Sequence, residues 1–301
     1  MLALLAPGQG SQTPGMLTPW LADPELKKLL DSYSAAIDLD LEHLGVSADA
    51  EEIKDTAYAQ PLIVATSLLS ASALSIKSAA FIAGHSVGEI SAAAIAGAIS
   101  DIDAMKLVRV RGREMAKAAA LTEGGMAAVL GGDRETVLKA ISDLDLVAAN
   151  DNGGGQIVAA GSLVALSQLA PEGARVRPLA VAGAFHTSQM EPAVAPLREI
   201  AAALEVHTPR SPIISNKAGN IVNDGRETLD LIVNQIANPV RWDLCMEQLQ
   251  KSGVTGVIEV APAGTLAGLI KRAVPTIAQF AFKSPADLDA AREFAKEHGG
   301  A

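Results

Sequence analysis

The pentapeptide Gly84-His85-Ser86-Val87-Gly88 constrains this chain more than any other feature. It stands between a short apolar run, Ala79–Ala83, and a stretch of small residues, Val87–Ala98. The run reads as a buried strand and the stretch as a helix. A strand that turns into a helix so sharply needs glycine where a side chain would clash, and Gly84 and Gly88 supply it. This G-x-S-x-G turn exposes the hydroxyl of Ser86 at its tip. The backbone N–H of Val87 points to the same place, at a helix N-terminus, where it can stabilise an oxyanion.

Elsewhere short apolar runs alternate with helical periods, the pattern of an α/β protein. Leu2–Leu5 reads as a first buried strand and Gly256–Val260 as a late one. Helices are expected over about Asp23–Leu44 and Pro61–Ser75, and over a segment reaching Ala120 for which Asp101 and Asp103 offer N-caps. The polar tail after Lys283 also reads as helical. Between Gly124 and Gly183 the rhythm changes. A strand at Met126–Leu130 is followed by a helix at Arg134–Asp143 and a hairpin of Leu146–Ala149 with Gln156–Ala160. A helix at Leu163–Ala170 and a strand at Arg175–Leu179 complete a β-α-β-β-α-β order, that of a ferredoxin-like unit. The expected architecture is α/β, with residues 124–184 inserted as a small subdomain between residues 1–123 and 185–301 of a larger one.

Composition removes several classes of function. The chain has 301 residues, a net charge of −10 and 3% aromatic residues, a poor match to the basic, stacking surfaces that bind nucleic acid. The single cysteine, Cys245, cannot form an internal disulfide, which fits a reducing cytoplasm. The most apolar stretch, Ser78–Ser100, is Ala-rich and interrupted by His85 and Glu89, so no membrane span is expected. The N-terminus lacks a basic leader and reads as a strand. Gly8 and Gly10 invite a dinucleotide fingerprint, but the third glycine position holds Thr13, and no phosphate-loop Gly-Lys pair occurs. Histidines and cysteine lack metal-ligand spacing. No cofactor and no metal are expected.

A serine needs a base, and five histidines are available. His85 adjoins Ser86 and should turn away from it; His43, His207 and His298 fall at a helix end, in a loop and in the tail. His186, in Gly183-Ala184-Phe185-His186-Thr187, lies where the insertion returns to the larger unit, a good place for a cleft. It is the best base. Gln9, in the turn Pro7-Gly8-Gln9-Gly10, could supply a second oxyanion N–H opposite Val87. Arg111 is the sharpest anomaly. On a helical wheel it falls in the middle of the arc of Ala104, Leu107, Val108, Met115 and Ala119, while Lys106, Arg109, Arg113 and Lys117 gather opposite. A buried guanidinium needs an anion. That anion is either an internal carboxylate or one that arrives with a substrate, for which the guanidinium fork is well shaped.

Taken together, Pro7-Gly8-Gln9-Gly10-Ser11-Gln12, Gly84-His85-Ser86-Val87-Gly88-Glu89, Arg111-Gly112, Gly183-Ala184-Phe185-His186 and Asn234-Gln235 with Asn238-Pro239-Val240 resemble the malonyl-CoA:acyl carrier protein transacylases. They occur in that family's order and span nearly the whole chain. The resemblance implies an α/β-hydrolase-like core with a parallel sheet and an inserted ferredoxin-like subdomain. It implies Ser86 as nucleophile, His186 as base, and the main-chain carbonyl of Gln235 in place of the acid found in related hydrolases. It also implies Gln9 and Val87 as oxyanion amides, Arg111 as the group that binds the malonyl carboxylate, and Phe185 as the malonyl-selecting residue. Two positions depart from the usual pattern: Thr187 replaces a serine and Val87 a leucine, and both leave the backbone roles intact.

The reaction so implied is ping-pong transfer of malonyl from malonyl-CoA, through a malonyl-serine ester, to the phosphopantetheine thiol of acyl carrier protein in fatty acid synthesis. The elbow by itself also suits a serine hydrolase with water as acceptor, and an idle binding module is a weaker third reading. A cytoplasmic monomer is expected. Because carrier proteins are typically acidic, docking on an acidic chain calls for a local basic patch, with Lys271, Arg272 and Lys283 as candidates.

Overall fold

Leu2–Ala6 is apolar and buried at every position, which a strand can be only where both faces of its sheet are covered. In the computed structural model, which describes residues 1–77, 79–181 and 183–300, this segment is strand β1 at the heart of a six-stranded sheet. It pairs in parallel with β2 (Phe81–Gly84) and with β10 (Gly256–Glu259). Beyond these lie β11 (Ala278–Ala281) and β7 (Ile213–Ile214), also parallel, and β8 (Ile221–Val222) is antiparallel at one edge. The order is β11-β10-β1-β2-β7-β8.

The two-residue period of a strand divides the core. Leu2 and Leu4 join Ile82 and Ile258 on one face, while Ala3 and Leu5 join Ala83 and Val257 on the other. The first face is covered by α1 (Pro24–Ile37), α2 (Thr56–Leu74), α3 (Gly88–Ile95), α4 (Asp101–Leu121), α7 (Val194–Ala203), α8 (Gly225–Gln235) and α11 (Leu288–Glu297). The second is covered by α9 (Trp242–Lys251) and α10 (Thr265–Ala273). The result is an α/β fold in three layers.

Two helix starts differ from the sequence reading. Pro61 does not open α2; Asp55 caps it by accepting from the Ala57 N–H at 2.7 Å, and Pro61 sits inside the helix. A proline there leaves the carbonyl of Ala57 without its helical donor, and Arg109 Nη1 takes that place at 3.1 Å. At α4 the cap is Ser100, which accepts from the Asp103 N–H at 3.1 Å, while Asp101 and Asp103 lie in the first turn and face the helix dipole. Among the described residues α2, and not the stretch around β2, is the helix long and apolar enough to cross a membrane. Its apolar surface is covered instead: 72% of its most apolar window is buried inside the protein.

A second sheet has the order β6-β3-β5-β4-β9. In chain order it comprises β3 (Gly125–Gly131), α5 (Arg134–Asp143), β4 (Val147–Asp151), β5 (Gln156–Gly161), α6 (Leu163–Gln168) and β6 (Ala174–Pro178). Its core is its own, built from Val129, Val137, Ile141, Leu146 and Ile157. The fifth strand, β9 (Val240–Arg241), comes from far along the chain and pairs in parallel with β4, Asn150 opposite Val240. Four residues separate Gln235, at the end of α8, from this strand, so the segment carrying Gln235 is fastened to both sheets.

Candidate active site

β2 ends at Gly84 and α3 begins at Gly88, leaving three residues to reverse from strand to helix. A Cβ on Gly84 would stand 2.0 Å from the carbonyl of Gly88, and one on Gly88 would stand 2.3 Å from the Ala6 oxygen. Only glycine fits at either place. Ser86, at the apex, is held at φ +54°, a left-handed conformation that serine adopts at a cost. Asn216, fully buried just past β7, locks the turn. Its Oδ1 accepts from the Ser86 N–H at 2.8 Å and its Nδ2 donates to the Gly84 carbonyl at 2.7 Å.

His186 also has positive φ, at +61°, and Thr187 fixes the turn around it. The Thr187 hydroxyl donates to the Ala184 carbonyl at 2.7 Å and accepts from the Gln189 N–H at 3.2 Å, work that needs a hydroxyl and tolerates the extra methyl. His186 Nε2 lies 2.8 Å from Ser86 Oγ, and its Nδ1 lies 2.9 Å from the main-chain oxygen of Gln235. A carbonyl can only accept, so Nδ1 carries the proton and Nε2 presents its lone pair to the serine hydroxyl. Burial pushes the imidazole pKa down to about 3, with the Arg111 charge as the next cause. The ring is therefore neutral at ordinary pH.

The other histidines are engaged elsewhere. His85 is turned from the serine: Nε2 meets Asn152 Oδ1 at 2.8 Å and the ring stands edge-on to Trp242 at 5.6 Å. That contact ties the turn to the second sheet. His43 faces Glu52, His298 faces Thr255, and His207 is exposed.

Arg111 is 1% exposed, as its place on the wheel requires. Among the described residues no carboxylate oxygen lies within 4.0 Å of it, so the internal salt bridge is absent. Neutral amides hold it instead. Nη1 donates to Gln60 Oε1 at 2.8 Å and Nη2 to Gln235 Oε1 at 3.0 Å; Nη2 also stands 3.4 Å from Ser86 Oγ, while Nε has no partner. Burial pulls its pKa down to about 10, and the charge of Glu89 opposes that fall.

Gln9, Ser86, Phe185 and His186 line one cleft of about 540 Å³, with Met115 and Met126 on its wall and Asn150 and Gln156 from the second sheet. The Gln9 side chain is anchored: Nε2 donates to Thr56 Oγ1 at 3.1 Å and Oε1 accepts from Gln60 Nε2 at 3.3 Å. Val87 stands at the N-cap of α3, with its N–H at the positive end of the helix dipole. Another cavity, about 570 Å³ and lined by Arg134, Lys217, Arg241 and Gln235, includes neither Ser86 nor His186. Among the described residues no group of histidine, cysteine and acidic side chains is arranged to hold a metal.

Three buried polar residues of this site were not singled out from the sequence: Gln60, Glu89 and Asn216. Glu89 carried a signal, since a carboxylate in an Ala-rich buried helix is the same kind of anomaly as Arg111. Gln60 and Asn216 carried none.

Chemically, this is a hydroxyl with a neutral base and an unpaired cation at its side, an arrangement that can form and break esters of anionic acyl groups. Comparison with known proteins gives the class. Residues 4–287 match the acyl transferase domain, and the chain belongs to that family. Within it the likeness is to one enzyme in particular. The malonyl CoA-acyl carrier protein transacylase of Mycobacterium tuberculosis H37Rv is 51% identical over 297 residues, covering 96% of this chain and 98% of that protein. The crystal structure of MCAT from Mycobacterium tuberculosis superposes with a TM-score of 0.94 at 50% identity, over 97% of this chain and 99% of that one. A malonyl-transacylase solved in complex with its type II polyketide acyl carrier protein gives 0.91 at 31% identity, over 97% and 99%.

Proposed function

We propose that this protein transfers malonyl from malonyl-CoA to the phosphopantetheine thiol of an acyl carrier protein, supplying fatty acid chain extension. One observation carries the reading: a buried guanidinium with an unpartnered Nε stands 3.4 Å from a serine hydroxyl that is itself 2.8 Å from a histidine. Related enzymes of that name, alike over almost their whole length, support it.

In this reading the malonyl carboxylate docks on Arg111 and places the thioester carbonyl carbon over Ser86 Oγ. Charge neutralisation there removes the second of the causes that hold the His186 pKa down, after burial, so the substrate strengthens the base that deprotonates Ser86. Nε2 accepts the serine proton as Oγ bonds to the carbonyl carbon. The amides of Gln9 and Val87 hold the tetrahedral oxyanion. The C–S bond breaks, the proton passes from Nε2 to the departing sulfur, and CoA leaves a malonyl ester on Ser86. The carrier thiol then gives its proton to Nε2, attacks the ester, and the serine recovers its proton as the C–O bond breaks. The Gln235 carbonyl keeps Nδ1–H directed throughout, and Phe185 narrows the cleft around the acyl group.

The same reading takes the three-layer unit as an α/β-hydrolase-like core, residues 1–123 and 185–301, with residues 124–184 as a ferredoxin-like insertion that borrows β9. It takes the protein as a cytoplasmic monomer that needs no cofactor.

Transfer of radiolabelled malonyl from CoA to a carrier protein, with hydrolysis measured alongside, tests it. Transfer should far exceed hydrolysis; the reverse ratio makes the protein a serine hydrolase. Intact-protein mass spectrometry after malonyl-CoA should show the acyl adduct on wild type and none on Ser86→Ala, and an adduct persisting on the variant removes Ser86 as nucleophile.

A further inference from the structure

Glu89 is 3% exposed in the first turn of α3, and the mechanism above makes no use of it. Oε1 accepts from the Asn216 backbone N–H at 2.6 Å, and Oε2 accepts from Gln235 Nε2 at 2.5 Å. The same Gln235 nitrogen faces two further acceptors, Asn216 Oδ1 at 3.0 Å and the Ser86 carbonyl at 3.2 Å. With acceptors alone on this side, the NH2 of Gln235 must lie here and its oxygen must point the other way. There Oε1 accepts from Arg111 Nη2, the nitrogen nearest Ser86 Oγ. Gln235 thus serves the base with its backbone and the cation with its side chain.

We infer that Glu89 is the positioning residue for Arg111: by fixing the polarity of the Gln235 amide, it aims the guanidinium and so sets the preference for acyl groups that carry a carboxylate. The inference rests on the reading of Arg111 as the carboxylate clamp. Two amide oxygens, on Gln60 and Gln235, are the acceptors that define the guanidinium's angle. If Gln235 turned over, its NH2 would meet a cation, and Arg111 would lose one of the two. An amide at position 89 offers one acceptor to two N–H donors. Either the Asn216 N–H then goes unpaired or Gln235 turns its oxygen toward the new NH2, and the second course pushes a donor against Arg111. The carboxylate has a further effect. Its charge, which burial draws toward the neutral form with a pKa raised to about 7, eases burial of the guanidinium without pairing to it.

The experiment measures kcat/KM for malonyl-CoA and acetyl-CoA in wild type, Glu89→Gln, Gln235→Met and Arg111→Ala, each checked for cooperative thermal unfolding. Glu89→Gln should lower the malonyl-to-acetyl ratio by roughly ten-fold or more, the loss expected for a misaligned charged hydrogen bond, chiefly through KM for malonyl-CoA. Gln235→Met keeps the backbone carbonyl for His186, should lower the ratio likewise, and carries the test if Glu89→Gln folds poorly. Equal losses on both donors in these variants, the pattern of a merely loosened turn, overturn the inference provided Arg111→Ala still collapses the ratio. If Arg111→Ala leaves the ratio unchanged, the clamp itself is wrong.

Discussion

An arginine that is 1% exposed and, among the described residues, has no carboxylate oxygen within 4.0 Å costs folding free energy, and in the proposed reading an anion that comes and goes is what offsets that cost. Arg111→Ala should lower kcat/KM for malonyl-CoA by about two orders of magnitude or more, as expected when one partner of a buried charge pair is truncated, while acetyl-CoA is spared or improved. Steady-state kinetics on the two donors check this. The same substitution should alter the pH profile. His186 must be neutral to act, and with its pKa near 3 the wild type should show no loss from this group down to about pH 5. Removing the neighbouring positive charge raises that pKa, so the acid limb of acetyl transfer should move to higher pH in Arg111→Ala; an unmoved limb would show that burial alone sets the imidazole. Stability follows the same group with a definite sign. The unfolded histidine binds a proton near pH 6.5 and the folded one only near 3, so its contribution is full above 6.5 and is lost as pH falls toward 3. Arg111 was visible in the sequence because a helical wheel exposes a charge in an apolar arc. Glu89 is a comparable anomaly, but its partners lie 127 and 146 residues away, and Asn216 has no such local mark and meets Ser86 across 130; no local period encodes such contacts.

Elements with a long period were legible and those without one were not. The strands β1, β2 and β10, the helix α4 and the succession from β3 to β6 follow from apolar runs and 3.6-residue spacing. The strands β7, β8 and β9 have two residues each, too few to show alternation, and β9 joins its sheet only because α8 delivers it there. Pro61 misled for a physical reason: proline favours a first turn, and here Arg109 compensates for one placed deeper. A buried acid at the end of β10 was equally hidden. Glu259 is fully buried and caps α10, accepting from the Gly264, Leu266 and Ala267 N–H groups at 2.8, 3.0 and 2.8 Å. Since Thr265, Leu266 and Leu269 of that helix line the cleft, the cap sets one of its walls. Glu259→Ala leaves three helix-start donors without acceptors and should cost about 2–4 kcal/mol of stability, measured by chemical unfolding. A change within experimental error would mean that solvent replaces the carboxylate and that α10 is held by its apolar face alone.

On the scale of the whole molecule, a net charge of −10 sets the terms on which a partner can approach. An acidic carrier would be repelled at long range, so productive encounters need positive charge close to the cleft mouth. α10 supplies it. Its cleft-lining residues lie in the first half of the helix, and Lys271 and Arg272 are exposed in its last turn. Lys283 lies against Gly264, at the start of the same helix, so cations stand at both of its ends. Arg272 is partly committed, since Nη2 reaches Gln156 Oε1 at 3.3 Å and braces the helix against the second sheet. Lys271 and Lys283 make no ion pair among the described residues and are the better steering charges. Lys271→Glu with Lys283→Glu should raise KM for the carrier roughly ten-fold, mainly by slowing association, and leave KM for malonyl-CoA nearly unchanged. The effect should shrink as ionic strength rises, because exposed charges are screened within about 8 Å at physiological salt. An unchanged carrier KM at low salt would place docking on another face of the cleft, and a parallel rise in both constants would assign these lysines to the phosphates of CoA.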